Sequence, residues 1–92
     1  MSADDPFAEY VSKDVVVDTD GNIICIGTLV AVTASSLRLA DADLHSMNDT
    51  AATREVYIME AAKLGTRSNR KKVSLMRSRV ISVSLLDDVV KY

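Results

Sequence analysis

An Asp20-Gly21 pair sits inside the segment DVVVDTDGNIICIGTLVAVTASSLRL, which runs from Asp14 to Leu39. Strand-forming residues flank it on both sides, and Asp-Gly between such runs is the strongest short-range hairpin signal. Gly27 interrupts the second run, where a strand must bulge or bend. Few folds accept a hairpin with a sharp bend in its second strand. The pattern predicts a strongly curved antiparallel sheet, the starting point of a small barrel.

The rest of the chain fits one domain. A chain of 92 residues buries roughly 60–65% of the surface it exposes when unfolded, enough for one core. Aromatic residues are only 4% of it, so Val, Ile, Leu, Ala and Met must build that core. The single cysteine, Cys25, excludes an intrachain disulfide framework and suits a reducing compartment. There is no charged-then-apolar leader and no apolar run of about 18 residues. The expectation is a soluble cytoplasmic protein without membrane contact.

A short helix is predicted over 5–12, with Asp5 as cap, Pro6 at its first position, and Phe7, Tyr10 and Val11 on one face. Strands follow over 14–19 and 22–32. The second is apolar on both faces, so both should be covered. A polar turn at 33–36 leads to a third strand from Leu37, continuing through Ala42 and Leu44. The period then changes. Asp49 or Thr50 can cap a helix that Gly65 ends in a left-handed conformation. Ala52, Val56, Met59 and Lys63 lie at helical spacing. A basic connector, Arg67 to Lys72, precedes strands over 73–77 and 79–85. In the last of these, Ile81, Val83 and Leu85 share a face. The sequence shows no repeats.

This order, with its motifs, resembles the Sm/LSm barrel. The first Sm motif is matched by Gly27, Leu29 and Val32. The second is matched by Leu75-Met76-Arg77-Ser78-Arg79-Val80-Ile81. Together the matches span roughly 60 residues of the chain. The resemblance implies a mainly β, five-stranded open barrel behind an N-terminal helix, to which this chain adds a helix inserted between strands 3 and 4. It also implies a ring in which strand 4 of one copy joins strand 5 of the next, and an Arg77 that faces an RNA-binding pore. A structural ion pair at a strand end is the other reading of Arg77. The departures concern the RNA residues. The family's loop Asp falls at Thr33 and its Asn at Ser36 or Leu37. No aromatic or His lies between them, and the motif glycine is Ser78.

The inserted segment, 49–72, is longer than the loop often found there. Long insertions on small barrels serve function or assembly. Net charge is -2, yet Asp4, Asp5, Glu9, Asp14, Asp18 and Asp20 crowd one end, while 63–79 is basic and free of acid. Arg67, Arg70, Lys71 and Lys72 have the flexible positive charge that phosphate contact needs. No interleaved aromatic marks a stacking platform. The alternative is that the basic loop docks on the acidic region of a neighbouring subunit.

Asp41, Asp43 and His45 alternate, which on a regular strand places two carboxylates and an imidazole on one face. That set suits a divalent metal. The competing reading is a solvated edge-strand face. No base-oriented nucleophile is apparent, and Cys25 lies in an apolar strand. The sequence thus predicts one domain over 1–92 without enzymatic activity or cofactor. Its partners are itself and, by the resemblance, RNA. A protein-interaction ring without nucleic acid is the alternative.

Overall fold

The computed structural model describes residues 5–47 and 53–90. It contains strands β1 (Asp14–Thr19), β2 (Ile23–Val32) and β3 (Ser36–Ser46), helix α1 (Arg54–Leu64), then β4 (Arg70–Met76) and β5 (Val80–Leu85). The strands form one sheet in the order β4-β3-β2-β1-β5, and every ladder is antiparallel. This is the mainly β, Sm-like open barrel that the motifs imply. No helix among the described residues is long and apolar enough to cross a membrane.

The bend lies at Gly27. Ile26 pairs with Asp43 and Thr28 with Ala40, so Gly27 alone opposes both Asp41 and Ala42. A Cβ on Gly27 would lie 2.9 Å from the Cα and Cβ of Ala42, so only glycine lets the strands approach this closely. Asp41 absorbs the extra residue at φ 50°, a conformation that Asp tolerates better than most residues. The bulge also reverses the faces of β3. Leu37 and Leu39 point into the barrel before it, and Ala42 and Leu44 do so after it.

Two cores result. Val15, Val17, Cys25, Leu29, Leu37 and Leu39 fill the barrel. Val16, Ile24 and Ile26 face the other way and are roofed by Tyr57, Ile58 and Ala61 of α1, with Leu86 and Val89 beside them. The apolar character of both faces of β2 follows from this double coverage. Burial, and secondarily the charge of Asp43, pushes the Cys25 thiol up to about 12.

Several expectations need correction. The N-terminal helix is a single 3-10 turn, Ala8–Tyr10, because Val11 is extended and Ser12 takes φ 72°. So short a segment cannot sustain α-helical nucleation. Its apolar side chains still pack on the barrel core. Helix α1 starts at Arg54, with the Thr53 hydroxyl accepting the Val56 N–H at 3.2 Å. Asp49, Thr50 and Ala52 lie outside the described residues. Tyr57, Ile58 and Ala61 face the sheet, whereas Val56 and Lys63 are exposed. Gly65 has the expected positive φ, 89°, but its ψ of 169° is extended rather than left-handed helical. Strand β4 begins at Arg70, so part of the basic connector belongs to the sheet. Ile81 is the unpaired residue where Thr19 meets Val80 and Asp18 meets Ser82, so it leaves the face of Val83 and Leu85 and is 68% exposed.

Candidate nucleic-acid interface

The two loops that carry the Sm-like motifs meet at one end of the barrel. The turn after β2 is closed on itself. Thr33 donates its N–H to the Ser36 carbonyl at 2.9 Å, and its hydroxyl accepts the Ser36 N–H at 2.9 Å. Such hydroxyl-to-backbone bonds stabilise polar turns. The second loop is a 3-10 turn, Arg77–Arg79, between β4 and β5. Arg77 joins the two by donating its N–H to the Ser35 carbonyl at 2.9 Å and its guanidinium to the Thr33 carbonyl at 3.1 Å.

Arg77 is also held from a third side. Its guanidinium donates to both carboxylate oxygens of Asp5, at 2.5 and 3.0 Å, and lies 4.9 Å from the centre of the Phe7 ring. Paired guanidinium bonds to carboxylate are among the stronger side-chain contacts, and the ring adds a cation–π contribution. The hydrogen bond from Arg77 holds the Asp5 carboxyl below its ordinary 3.8. Sequence reading missed Asp5 and Phe7 as partners, since nothing in the spacing of residues 5 and 77 signals a contact.

The other basic residues sit elsewhere. Arg67, Arg70, Lys71 and Lys72 are exposed near the opposite end of β4. The strand separates them from Arg77 by roughly 20 Å at about 3.3 Å per residue. Arg70 donates to the Asn69 carbonyl at 3.0 Å. Among the described residues, ion pairs join Arg54 to Asp18, Arg77 to Asp5 and Arg79 to Asp20. None involves Arg67, Arg70, Lys71 or Lys72.

Asp41, Asp43 and His45 are not brought together, and β3 is not an edge strand, since it pairs with both β2 and β4. The bulge leaves Asp41 exposed. It turns Asp43 toward Tyr57, which donates its hydroxyl to the Asp43 carboxylate. His45 stacks on the Tyr57 ring, with centroids 4.4 Å apart. Asn69 completes the cluster. Its side chain donates to Asp43 at 3.1 Å and to the Leu44 carbonyl at 3.0 Å, and accepts the Leu44 N–H at 3.0 Å. This cluster pins α1 and the connector after it to β3. No group of three His, Cys, Asp or Glu side chains among the described residues is placed to hold a metal ion.

No family model matches the chain, and no curated protein matches it. Solved structures do. The Sm protein of Pyrococcus abyssii in complex with a uridine heptamer is similar over 92% of this chain and 99% of its own, with 18% identity and a TM-score of 0.59. The SmAP (LSm) protein of Methanococcus vannielii is similar over 92% of this chain and 100% of its own, at 16% identity and a TM-score of 0.56. A chain of the NatC complex bound to CoA is similar over 89% and 84%, at 19% identity and a TM-score of 0.57. The chain therefore has an Sm-like fold. At these identities the likeness is one of fold, and folds host many functions.

Proposed function

We propose that this chain is a non-enzymatic, oligomeric Sm-like binding module that contacts RNA phosphates through Arg67, Arg70, Lys71 and Lys72. The observation that carries the reading is this group of exposed cations without carboxylate partners among the described residues. Flexible unpaired cations clustered at one end of a rigid strand bind a polyanion through its phosphates without reading bases. The end strands β4 and β5 leave backbone groups unpaired, which favours assembly by edge pairing between copies. One structural neighbour was solved with a uridine heptamer, which supports the choice of RNA. A buried free thiol suits the cytoplasm. Arg77 joins the RNA surface in this reading only when Asp5 releases it.

That last condition favours a second reading, a protein-interaction ring without nucleic acid. Arg77 is engaged by Asp5, and the Thr33 hydroxyl is occupied within its own turn. Fluorescence anisotropy of a labelled uridine-rich RNA, titrated across salt, separates the two. Binding that weakens steeply with salt, and falls when Arg70, Lys71 and Lys72 are replaced by Glu, supports the RNA module. No binding at low salt by the folded protein supports the interaction ring.

A further inference from the structure

The end strands of the sheet are complementary in pleat, and the basic start of β4 is complementary in charge to the acidic turn that follows β5. In β4, Val73 and Leu75 turn toward the barrel core, while Lys72, Ser74 and Met76 are exposed. In β5, Val83 and Leu85 turn inward, while Ser82 and Ser84 are exposed. Directly opposed residues of paired strands lie on the same face of a sheet. An antiparallel pairing between β4 and the β5 of another copy must therefore set inward residues against inward residues. Two registers satisfy this over the strand centres. One opposes Val73 to Val83 and brings Leu75 to Ile81, but Ile81 is the bulged residue and points outward. The other opposes Leu75 to Val83 and Val73 to Leu85, and it has no such conflict.

Past the end of the ladder, this register carries Lys71 and Arg70, two and three residues before Val73, alongside Asp87 and Asp88, two and three residues after Leu85. All four are exposed, and none forms an ion pair among the described residues. Opposite charges facing each other across strands stabilise a pairing, and like charges destabilise it. Asp87 and Asp88 lie in a 3-10 turn just past β5, and the long lysine and arginine stems span that step. Parallel pairing would instead bring the basic start of β4 near Arg77 and Arg79, cation against cation.

We propose that Lys71 and Arg70 bind Asp87 and Asp88 of the partner subunit, and that these ion pairs fix the register in which β4 of one copy adds to β5 of the next. The proposal rests on the oligomeric reading above and names the groups that make its interface. The contact is head-to-tail, so it propagates from copy to copy, into a ring where its rotation closes and into a filament where it does not. Arg67 and Lys72 remain on the solvent side, free for phosphates. Arg70 and Lys71 are then shared between the neighbouring copy and RNA.

The test is the molar mass of the full chain by light scattering across a dilution series. Lys71→Glu, Asp87→Lys and the double variant are compared with wild type, and circular dichroism checks that each is folded. Each single reversal sets like charges face to face. It should raise the concentration at which the assembly dissociates by about tenfold, and the double variant should recover most of that loss. If both single variants keep the wild-type dissociation point, or if the double variant is no better than either, the register is wrong. If only Asp87→Lys matters, β5 pairs with another surface, and this too overturns the proposal. A wild-type chain that is monomeric throughout would instead overturn the oligomeric reading itself.

Discussion

Arg77 and Asp5, 72 positions apart, form a two-pronged ion pair that ties the N-terminal segment to the loop between β4 and β5. The same guanidinium reaches the Thr33 carbonyl and lies over Phe7. One side chain thus fastens three separate segments at one end of the barrel. With Thr33 where the Sm-like pattern has an aspartate, the carboxylate facing Arg77 comes from the N-terminal segment.

This pairing gives a defined response to acid. The Arg77 hydrogen bond lowers the Asp5 pKa in the folded protein from 3.8. A carboxyl with a depressed folded value stabilises the protein above its unfolded value, and that contribution is lost as pH falls through the folded one. Asp5→Asn should therefore melt below wild type at neutral pH, and the gap should close on acidification below about pH 4. Thermal melts of both proteins across pH check this. A gap that persists unchanged in acid would assign the effect to something other than the carboxylate charge.

Gly27→Ala should cost about 1–3 kcal/mol in urea unfolding, the usual range for overpacking a tight site. The added methyl meets the Ala42 Cα and Cβ at 2.9 Å, and the nearest carbonyl oxygen, of Ala40, is at 3.0 Å. Two of these three atoms are backbone and cannot rotate away. Gly21→Ala, with nothing within 4 Å of the added carbon, serves as the control and should change stability far less.

Tyr57 docks α1 through its ring on His45 and its hydroxyl on Asp43. Tyr57→Phe keeps the ring and leaves Asp43 with its Asn69 bond, so the loss should be about 1 kcal/mol. Tyr57→Ala also uncovers Ile24 and Ile26 and should cost more. Burial, then the bond to Asp43, raises the Tyr57 pKa in the folded state above its ordinary 10.0. A raised folded value gives a contribution that is whole below the unfolded value and shrinks as pH rises past it. The stability difference between wild type and Tyr57→Phe should therefore narrow above about pH 10. Urea titrations at neutral and alkaline pH measure it.

Much of the fold was legible because strand pairing and burial leave strong local marks. Asp20-Gly21, the two apolar faces of β2 and the bend at Gly27 each correspond to an observed feature. What escaped depends on residues that break alternation. Had β3 been regular, Leu37, Leu39, Asp41, Asp43 and His45 would share one face, and the charged three would line the core. The bulge opposite Gly27 resolves that conflict by turning Asp43 and His45 toward α1. The glycine was visible in the sequence, but the partner residues that absorb its bulge were not. The sheet-facing stripe of the helix stayed hidden for a related reason. Its sheet-facing positions include Tyr57, whose polar end has a partner in Asp43, so apolar spacing alone did not pick it out. Of the candidate interface, the exposed basic cluster could be read from charge. The Asp5–Arg77 pair could not, because its partners are joined only by the fold.

The bulge in β5 yields the last prediction. A regular alternation puts Ile81 beside Val83, so a charge at either position should damage the core equally. The structure separates them. Val83 packs on the barrel core, whereas Ile81 is 68% exposed, beside the shift in register between Asp18 and Thr19. Val83→Asp places a carboxylate against apolar neighbours and should cost about 2 kcal/mol or more. Ile81→Lys should leave the melting temperature nearly unchanged, because surface substitutions away from packed features usually shift stability by within about 0.5 kcal/mol. Melting curves of the two variants decide the matter. Equal, large destabilisation would mean that Ile81 is buried and that the strand has no bulge. If Ile81→Lys melts like wild type but dissociates on dilution, the exposed isoleucine belongs to the contact between copies rather than to the core.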